Sequence, residues 1–187
     1  MNKLRPILIT GGMGAGKTSA AEFLFWRYQY IRCSMAGWIK QTVTQHYGIY
    51  SIDKSLTING KPMRTILQEI GMYMRNVDPD WHIDEVIRTI SDLNTKLFVI
   101  DDIRFVNEVT KLNTKYPCIV IKIECNSQNR LERLLVRDKL VPTEQQLSNA
   151  SEIELNSIIP DYTIINDGTI DDLHLQIEGV IHDCQKK

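Results

Sequence analysis

The sequence predicts an α/β protein in which a parallel β-sheet is covered by helices on both faces. Short apolar runs alternate with segments of helical periodicity along the chain, which is the pattern of parallel strands joined by helical crossovers. A glycine-rich segment follows the first apolar run and precedes a helix, as in many α/β proteins that bind phosphate. Because the 187 residues contain no linker or repeat, we expect one domain over residues 1–187.

The individual elements follow from local signals, taken in chain order. The apolar residues 6–10 predict a buried first strand, and a helix is expected from about residue 17 to 30. Gly48 stands where the C-cap of a helix over residues 38–47 would lie, and Asp78-Pro79 separates two later helices. The later helices are predicted over about residues 61–74, 81–93, 126–137 and 170–184. The remaining strands are predicted over residues 32–35, 97–100, 118–123 and 161–165.

Composition excludes several classes of protein. The net charge of −1 argues against general binding to polymeric nucleic acid, which is typical of basic proteins. No apolar run approaches the roughly 18 residues that span a bilayer, and the stretch Ile7-Leu8-Ile9 is too short for a signal peptide. We therefore expect a cytoplasmic protein without a membrane partner. The four cysteines and four histidines show no metal-ligand spacing, so ordinary packing or surface roles are expected for them.

The strongest motif in the chain is Gly-Gly-Met-Gly-Ala-Gly-Lys-Thr over residues 11–18, which fits G-x-x-x-x-G-K-[ST]. Glycines allow backbone N–H groups to surround an anion, and the following helix adds the positive end of its dipole. Lys17 would reach the β- and γ-phosphates of ATP, and the Thr18 hydroxyl would bind Mg²⁺. The predicted ATP-binding residues here are Gly12, Gly14, Ala15, Gly16, Lys17, Thr18 and Ser19.

The rest of the chain favours one class of proteins with this loop. A GTPase would need N-K-x-D to bind its base, and a motor would need a strand that ends in Asp-Glu; the chain has neither. Its short length and the arginines after the loop favour a kinase with a small phosphorylated acceptor. Arg64, Gln68 and Arg75 lie at offsets of 0, 4 and 11 and share one helix face, which would suit a phosphomonoester and a base edge. A solvated helix face explains the same spacing.

The ordered motifs resemble those of the bacteriophage deoxynucleoside monophosphate kinases. They are R-x-x-L-Q-x-x-G from Arg64, R-x-x-D-P-D from Arg75 followed by Trp81, and D-D-x-R-F-x-N-E from Asp101. Ser34-Met35-Ala36 with Lys40, Ser151-Glu152 and Asn166-Asp167-Gly168 support the resemblance, which runs from Gly11 to about Ile177. Met35 and Gly37-Trp38 depart from it, since many relatives have Phe and Pro-Leu there.

The resemblance implies a three-layer P-loop kinase fold with a mostly parallel five-stranded sheet. It also implies an acceptor-binding helical segment over about residues 36–93 and a small helical lid over about 126–155. One of Asp101 and Asp102 would hold Mg²⁺ through water or orient the acceptor; Asp101 is preferred, with Thr18 as the other metal ligand. Arg104 would bind the acceptor phosphate, with Glu108 positioning it. The implied acceptor-binding residues are Lys40, Arg64, Gln68, Arg75, Asp78, Trp81, Arg104 and Glu152.

Three arginines of the expected lid lie on one helix face, because Arg130, Arg133 and Arg137 are at offsets of 0, 3 and 7. They would stabilise the charge of the transferring phosphoryl group, so the predicted catalytic residues are Lys17, Asp101, Arg130, Arg133 and Arg137. Asn166 and Asp167 would lie near the adenine ring. Simpler alternatives are solvated acids at Asp101-Asp102, a solvent-facing helix in which Glu132 pairs locally, and a plain turn at 166–168.

The expected activity is transfer of the ATP γ-phosphoryl group, with Mg²⁺, to a deoxynucleoside 5′-monophosphate, giving ADP and the diphosphate. Two alternatives stay open. Phosphomevalonate kinases share the D-P, D-x-R and S-E landmarks and dephospho-coenzyme A kinases the N-D-G segment, so another phosphorylated acceptor would fit. A non-catalytic module that only holds nucleotide would also use the glycine-rich loop. The oligomeric state is open, with a homodimer allowed.

Overall fold

A computed structural model describes residues 4–48, 56–138 and 154–186. The strands are β1 (Ile7–Thr10), β2 (Ile31–Cys33), β3 (Thr57–Ile58), β4 (Lys61–Pro62), β5 (Phe98–Ile100), β6 (Ile119–Glu124) and β7 (Tyr162–Ile165). The helices are α1 (Lys17–Tyr28), α2 (Gly37–Tyr47), α3 (Met63–Val77), α4 (Trp81–Asp92), α5 (Val106–Lys115), α6 (Ser127–Asp138) and α7 (Ile170–Lys186), with a 3₁₀ turn at Leu155–Ser157. No helix in these ranges is long and apolar enough to cross a membrane.

Five of the strands form one sheet in the order β2-β5-β1-β6-β7. Every neighbouring pair is parallel, with Leu8 opposite both Ile100 and Val120 in the central three strands. This confirms the predicted five-stranded parallel sheet with helices on both faces. Because all five strands run in one direction, their carboxyl ends meet at one edge, where open α/β sheets bind ligands.

The two faces of the sheet carry separate apolar clusters. Ile7, Ile9 and Ile121 face the side on which α1 and α7 pack. Leu8, Ile100 and Val120 alternate with them and face the side of α4 and α5. Burial on both faces explains why the strands appear in the sequence as continuous apolar runs rather than alternating ones. A third, smaller cluster of Ile39, Val43 and Met63 joins α2 to α3.

Two elements were not predicted. The helix expected from residue 61 begins at Met63, because Lys61–Pro62 pairs with Thr57–Ile58 as an antiparallel hairpin. Its turn is Asn59-Gly60 with φ of 51° and 77°, the left-handed conformation that this dipeptide favours. The helix α5 was also missed. Its first turn is stabilised by Glu108, whose carboxylate accepts the backbone N–H of Phe105 at 3.1 Å.

The central strand β5 provides a direct test of the core. Ile100 is 0% exposed, whereas Ile159 lies 89% exposed before β7. Ile100→Ala should lower the free energy of unfolding by about 2–5 kcal/mol through lost burial and the cavity left behind. Ile159→Ala should change it by less than about 0.5 kcal/mol. Urea unfolding midpoints measure both, and equal effects would contradict the assigned burial.

Candidate active site

The phosphate-binding loop connects β1 to α1, and Lys17 is the first residue of that helix. The Lys17 ammonium donates to the backbone carbonyl oxygens of Gly11 at 2.6 Å and Gly12 at 2.8 Å. Its charge is therefore held at the start of the loop, beside the N-terminus of α1. The positive end of the helix dipole and the ammonium together make this the expected position of a bound phosphate.

Asn166, which follows β7, holds the phosphate-binding loop in place through a hydrogen bond to its backbone. The buried Asn166 side chain donates through Nδ2 to the Ala15 carbonyl at 2.8 Å. Gly16 has φ of +102°, and a Cβ on it would overlap the Asn166 amide, so only glycine fits there. Asn166 thus braces the loop; direct contact with ATP stays a prediction.

Arg130 lies against the loop from the other side. Its Nε donates to the Met13 carbonyl at 2.9 Å. A Cβ on Gly12 would come within 2.8 Å of the Arg130 guanidinium carbon, so the glycine makes this close approach feasible. The structure therefore brings this predicted catalytic arginine to the phosphate-binding loop.

Arg133 has a different environment although it lies one turn after Arg130. Its guanidinium donates to the carbonyls of Asn166 at 3.0 Å and Gly168 at 3.3 Å. The side chain of Asp167 in the same segment accepts the Asn126 backbone N–H at 2.7 Å. In these contacts Arg133 and Asp167 join α6 to the segment after β7. The side chain of Arg137 lies outside the described residues.

A cavity of about 450 Å³ opens above the loop, between the carboxyl end of β6 and the 3₁₀ turn. Gly11, Gly12 and Arg130 line one side of it, and Leu155 and Asn156 line another. Its floor is thus the phosphate-binding loop, which makes it the candidate nucleotide site. Most of the predicted lid, residues 139–153 with Glu152, lies outside the described residues.

The two acidic residues after β5 have different tasks. The Asp102 carboxylate accepts from the Ser34 hydroxyl at 2.6 Å and from the backbone N–H groups of Met35 at 2.9 Å and Ala36 at 3.2 Å. It therefore holds the turn that begins α2. The Asp101 carboxylate pairs with the Arg32 guanidinium at 3.5 Å, and its side chain is 15% exposed.

These contacts suit Mg²⁺ at Asp101 better than at Asp102, whose oxygens already bind the protein. Among the described residues there is no cluster of three or more potential metal ligands from His, Cys, Asp and Glu. Mg²⁺ in nucleotide sites needs no such cluster, because substrate phosphates and water supply most of its ligands. The donor set of Thr18 and Asp101 fits that mode of binding.

A second cleft of about 120 Å³ lies between α2, α3 and the segment after β5. Arg75 lines it, stacks on the Phe105 ring at 3.8 Å and donates through Nη2 to Glu108 at 3.0 Å. Its Nη1 is buried and has no hydrogen-bond partner among the described residues. Glu108 and Phe105 thus fix the orientation of the Arg75 guanidinium, and its Nη1 can donate a further hydrogen bond.

Glu108 binds two groups, whereas the resemblance implied only that it positions Arg104. Its buried carboxylate accepts the backbone N–H of Arg104 at 2.7 Å as well as the guanidinium of Arg75. Burial raises the pKa of Glu108, while the amide hydrogen bonds and Arg75 oppose that rise. The residue positions the backbone of Arg104 and the side chain of Arg75, rather than the Arg104 guanidinium alone.

The other predicted acceptor residues lie on several elements, and among those described Arg104 lines this cleft. Lys40 donates to the Ser34 hydroxyl at 3.4 Å, and Arg104 lines the cleft. Trp81 packs edge-to-face on Trp38 at 4.7 Å, and Asp78 accepts the Asp80 backbone N–H at 3.0 Å before α4. Gln68 lies on α3 and is partly buried. The Arg64 side chain lies outside the described residues.

His82 was missed by sequence reasoning. It is 3% exposed, lines the cleft, and its Nε2 lies 3.1 Å from the Gly71 carbonyl. Burial, aided by nearby Arg75, lowers the pKa of His82 against the opposing effect of that carbonyl. No spacing to another residue pointed to it, because its position depends on how α3 and α4 pack.

Comparisons with known proteins support the fold. The chain matches a shikimate kinase from Acinetobacter baumannii, solved with shikimate, at a TM-score of 0.59 and 20% identity, covering 100% of this chain and 97% of that one. A shikimate kinase from Aquifex aeolicus gives a TM-score of 0.56 at 14% identity, covering 95% and 96%. A sugar kinase from Janibacter sp. gives 0.57 at 14%, covering 97% and 96%. No family model and no curated protein sequence matches. The chain therefore has the fold of P-loop kinases.

The buried histidine generates a prediction on stability and pH. The pKa of His82 is lower in the folded chain than in the unfolded one, so the unfolded chain binds the proton first as the pH falls. Stability should fall below about pH 6.5, the usual histidine pKa. In His82→Phe this loss should be smaller, whereas the exposed control His46→Gln should keep it. Urea unfolding between pH 5 and 8 measures the slopes; equal slopes in all three proteins would contradict the prediction.

Proposed function

We propose that this chain is an ATP- and Mg²⁺-dependent kinase that phosphorylates deoxynucleoside 5′-monophosphates. The observation that carries the proposal is the pair of cavities at one edge of the sheet. The phosphate-binding loop and Arg130 line the first cavity, and Lys17 binds the carbonyls of that loop. Arg75 lines the second, and its Nη1 is buried without a partner in the described parts of the chain. A donor phosphate and an acceptor phosphate would thus meet at adjoining sites, which is what phosphoryl transfer requires.

On the donor side, the loop amides and Lys17 hold the β- and γ-phosphates. Mg²⁺, when bound at Thr18 and Asp101, neutralises charge on the phosphates. Arg130 is hydrogen bonded to a neutral carbonyl and lies over Gly12, so its charge is available to the transferring phosphoryl group. Arg133 and Arg137, on the same helix as Arg130, would add positive charge near the donor site. Asn166 and Asp167 hold the segment that faces the adenine.

On the acceptor side, Arg75 binds the phosphomonoester through the guanidinium edge that Glu108 leaves unused. Glu108 keeps the guanidinium in place, and Phe105 supports its flat face. Arg104, which lines the cleft, and Lys40, which lies on α2, would add positive charge for the acceptor. Arg64, Gln68, Asp78, Trp81 and Glu152 complete the proposed acceptor site.

The preference for deoxyribose rests on the apolar wall of the cleft. Met35, Ala36 and Ile39 line it, and Trp38 with Trp81 lies near the start of α2 and α4. A ribose 2′-hydroxyl against such a wall would be buried without a partner, which costs about 1–3 kcal/mol. We therefore expect deoxy acceptors to exceed matched ribo acceptors in kcat/KM by roughly five- to a hundredfold.

The direct test is ADP formation, with ATP and Mg²⁺ fixed, on dGMP, dTMP, GMP, UMP, phosphomevalonate, dephospho-coenzyme A and shikimate. Deoxynucleoside monophosphates should react fastest. Lys17→Ala should keep the fold and lose at least about a hundredfold in kcat, because the contact to the β- and γ-phosphates is gone. Turnover of only a non-nucleotide acceptor would reassign the substrate. Tight nucleotide binding with no ADP on any acceptor would indicate a binding module.

Arg75→Ala separates the two sites. A charge-assisted contact to phosphate is worth about 1.5–3 kcal/mol, so KM for the monophosphate should rise roughly ten- to a hundredfold while KM for ATP changes little. Arg88→Ala is the matched control, because Arg88 is an exposed arginine of α4 that pairs with Glu85. Steady-state kinetics with each substrate varied in turn give both constants. A rise in KM for ATP instead would show that the donor and acceptor sites are assigned the wrong way round.

A further inference from the structure

The carboxyl end of β6 carries an ion pair that the site described above does not use. Lys122 Nζ lies 2.8 Å from Glu124 Oε1, and both residues line the cavity above the phosphate-binding loop. The neighbours of Lys122 along the strand, Ile121 and Ile123, are buried and apolar. A lysine in this position is unusual, because an apolar side chain would contribute more to the sheet than an exposed ion pair does.

The register places Lys122 on the acceptor side of the sheet. It pairs with Thr10 of β1, the last strand residue before the loop. Its side chain leaves the same face as Val120, whose cluster includes Ile83 and Ile90 of α4. Asp102 comes two residues after Ile100, the last residue of β5, which pairs with β1 on its other edge. Lys122, on β6, and Asp102, directly after β5, therefore belong to the two strands that neighbour β1.

Strand spacing gives the scale of this arrangement. Two steps of about 4.8 Å separate β6 from β5, so the strand that carries Lys122 and the strand that precedes Asp102 are roughly 10 Å apart. A phosphoryl group that leaves the loop toward the cleft of Arg75 starts between them. Lys122 is thus the cation on the β6 flank of the transfer path, opposite the cleft.

The ion pair between Lys122 and Glu124 can be exchanged for a contact between Lys122 and a phosphate. The Glu124 side chain is 46% exposed and that of Lys122 is 21% exposed, so water can replace the carboxylate's interaction at little cost. A lysine has a compact charge on a flexible stem, which can turn from a carboxylate toward a phosphate on the same wall of one cavity.

We propose that Lys122 is a catalytic residue that contacts the transferring phosphoryl group from the β6 side, with Glu124 as its counter-ion in the resting site. The proposal rests on the proposed function. The contact strengthens as negative charge develops on the phosphoryl oxygens, so it acts on kcat more than on ground-state binding of ATP.

The test compares Lys122→Met, which removes the charge and keeps the length, with the matched control Lys111→Met. Lys111 also forms ion pairs, with Asp80 and Asp84 at 3.1 and 2.7 Å, but does not line the nucleotide cavity. Lys122→Met should lower kcat ten- to a hundredfold and change KM for ATP less than threefold. Lys111→Met should leave both constants unchanged. If the Met variant fails to fold, as checked by thermal unfolding, Lys122→Gln replaces it.

A binding measurement separates this proposal from the kinase assignment. Affinity for ADP with Mg²⁺ and aluminium fluoride, which imitates the transferring group, should fall at least tenfold in Lys122→Met, while affinity for ADP with Mg²⁺ alone stays within threefold. That result supports the contact even if no acceptor in the panel is phosphorylated, an outcome that would overturn only the proposed function. Unchanged affinity for both complexes, or equal losses for both, would overturn the role of Lys122.

Discussion

The phosphate-binding loop depends on two side chains that approach its backbone closely from distant parts of the chain. Asn166 binds the Ala15 carbonyl at 2.8 Å and Arg130 binds the Met13 carbonyl at 2.9 Å. Asn166 requires a glycine opposite it at position 16, and Gly12 leaves room for the guanidinium of Arg130. The glycines therefore serve the protein's own packing as well as room for a phosphate. A loop held from both sides keeps its amides oriented before any anion arrives, and such preorganisation is the main source of electrostatic catalysis.

The cleft lined by Arg75 is organised by two carboxylates, partly buried Asp102 and fully buried Glu108. Asp102 holds the first turn of α2 through the Ser34 hydroxyl and two backbone amides. Glu108 begins α5 and orients Arg75. A buried carboxylate is stable only when such donors satisfy it. The segment after β5 is thus mainly scaffold, and it sets the position of the guanidinium that faces the cleft.

Local signals explain what could be predicted from the sequence. The five strands and the loop of Lys17 were predicted because an apolar run or a glycine spacing is complete within a few residues. The Asn59-Gly60 hairpin had a local signal too, and it was overlooked inside a helical pattern. The contacts of Arg133 with the segment after β7, the burial of His82 and the place of Lys122 beside the loop depend on contacts between residues far apart in the chain. A helix face identifies neighbours in one element, so it could not separate Arg130 from Arg133.

The resting partners of the cations explain how a chain of net charge −1 would accept two polyanions. Lys17 and Arg130 donate to backbone carbonyls, which are neutral. A phosphate that replaces such a carbonyl supplies a full negative charge, so the electrostatic gain is large. Arg75 keeps Glu108 when Nη1 takes a new acceptor, because the two interactions use different nitrogens. Lys122 must leave a carboxylate, and that carboxylate is half exposed to water. In the proposed reaction, ATP would therefore bind to the preformed loop first, and Lys122 would turn last, when charge develops between the two sites.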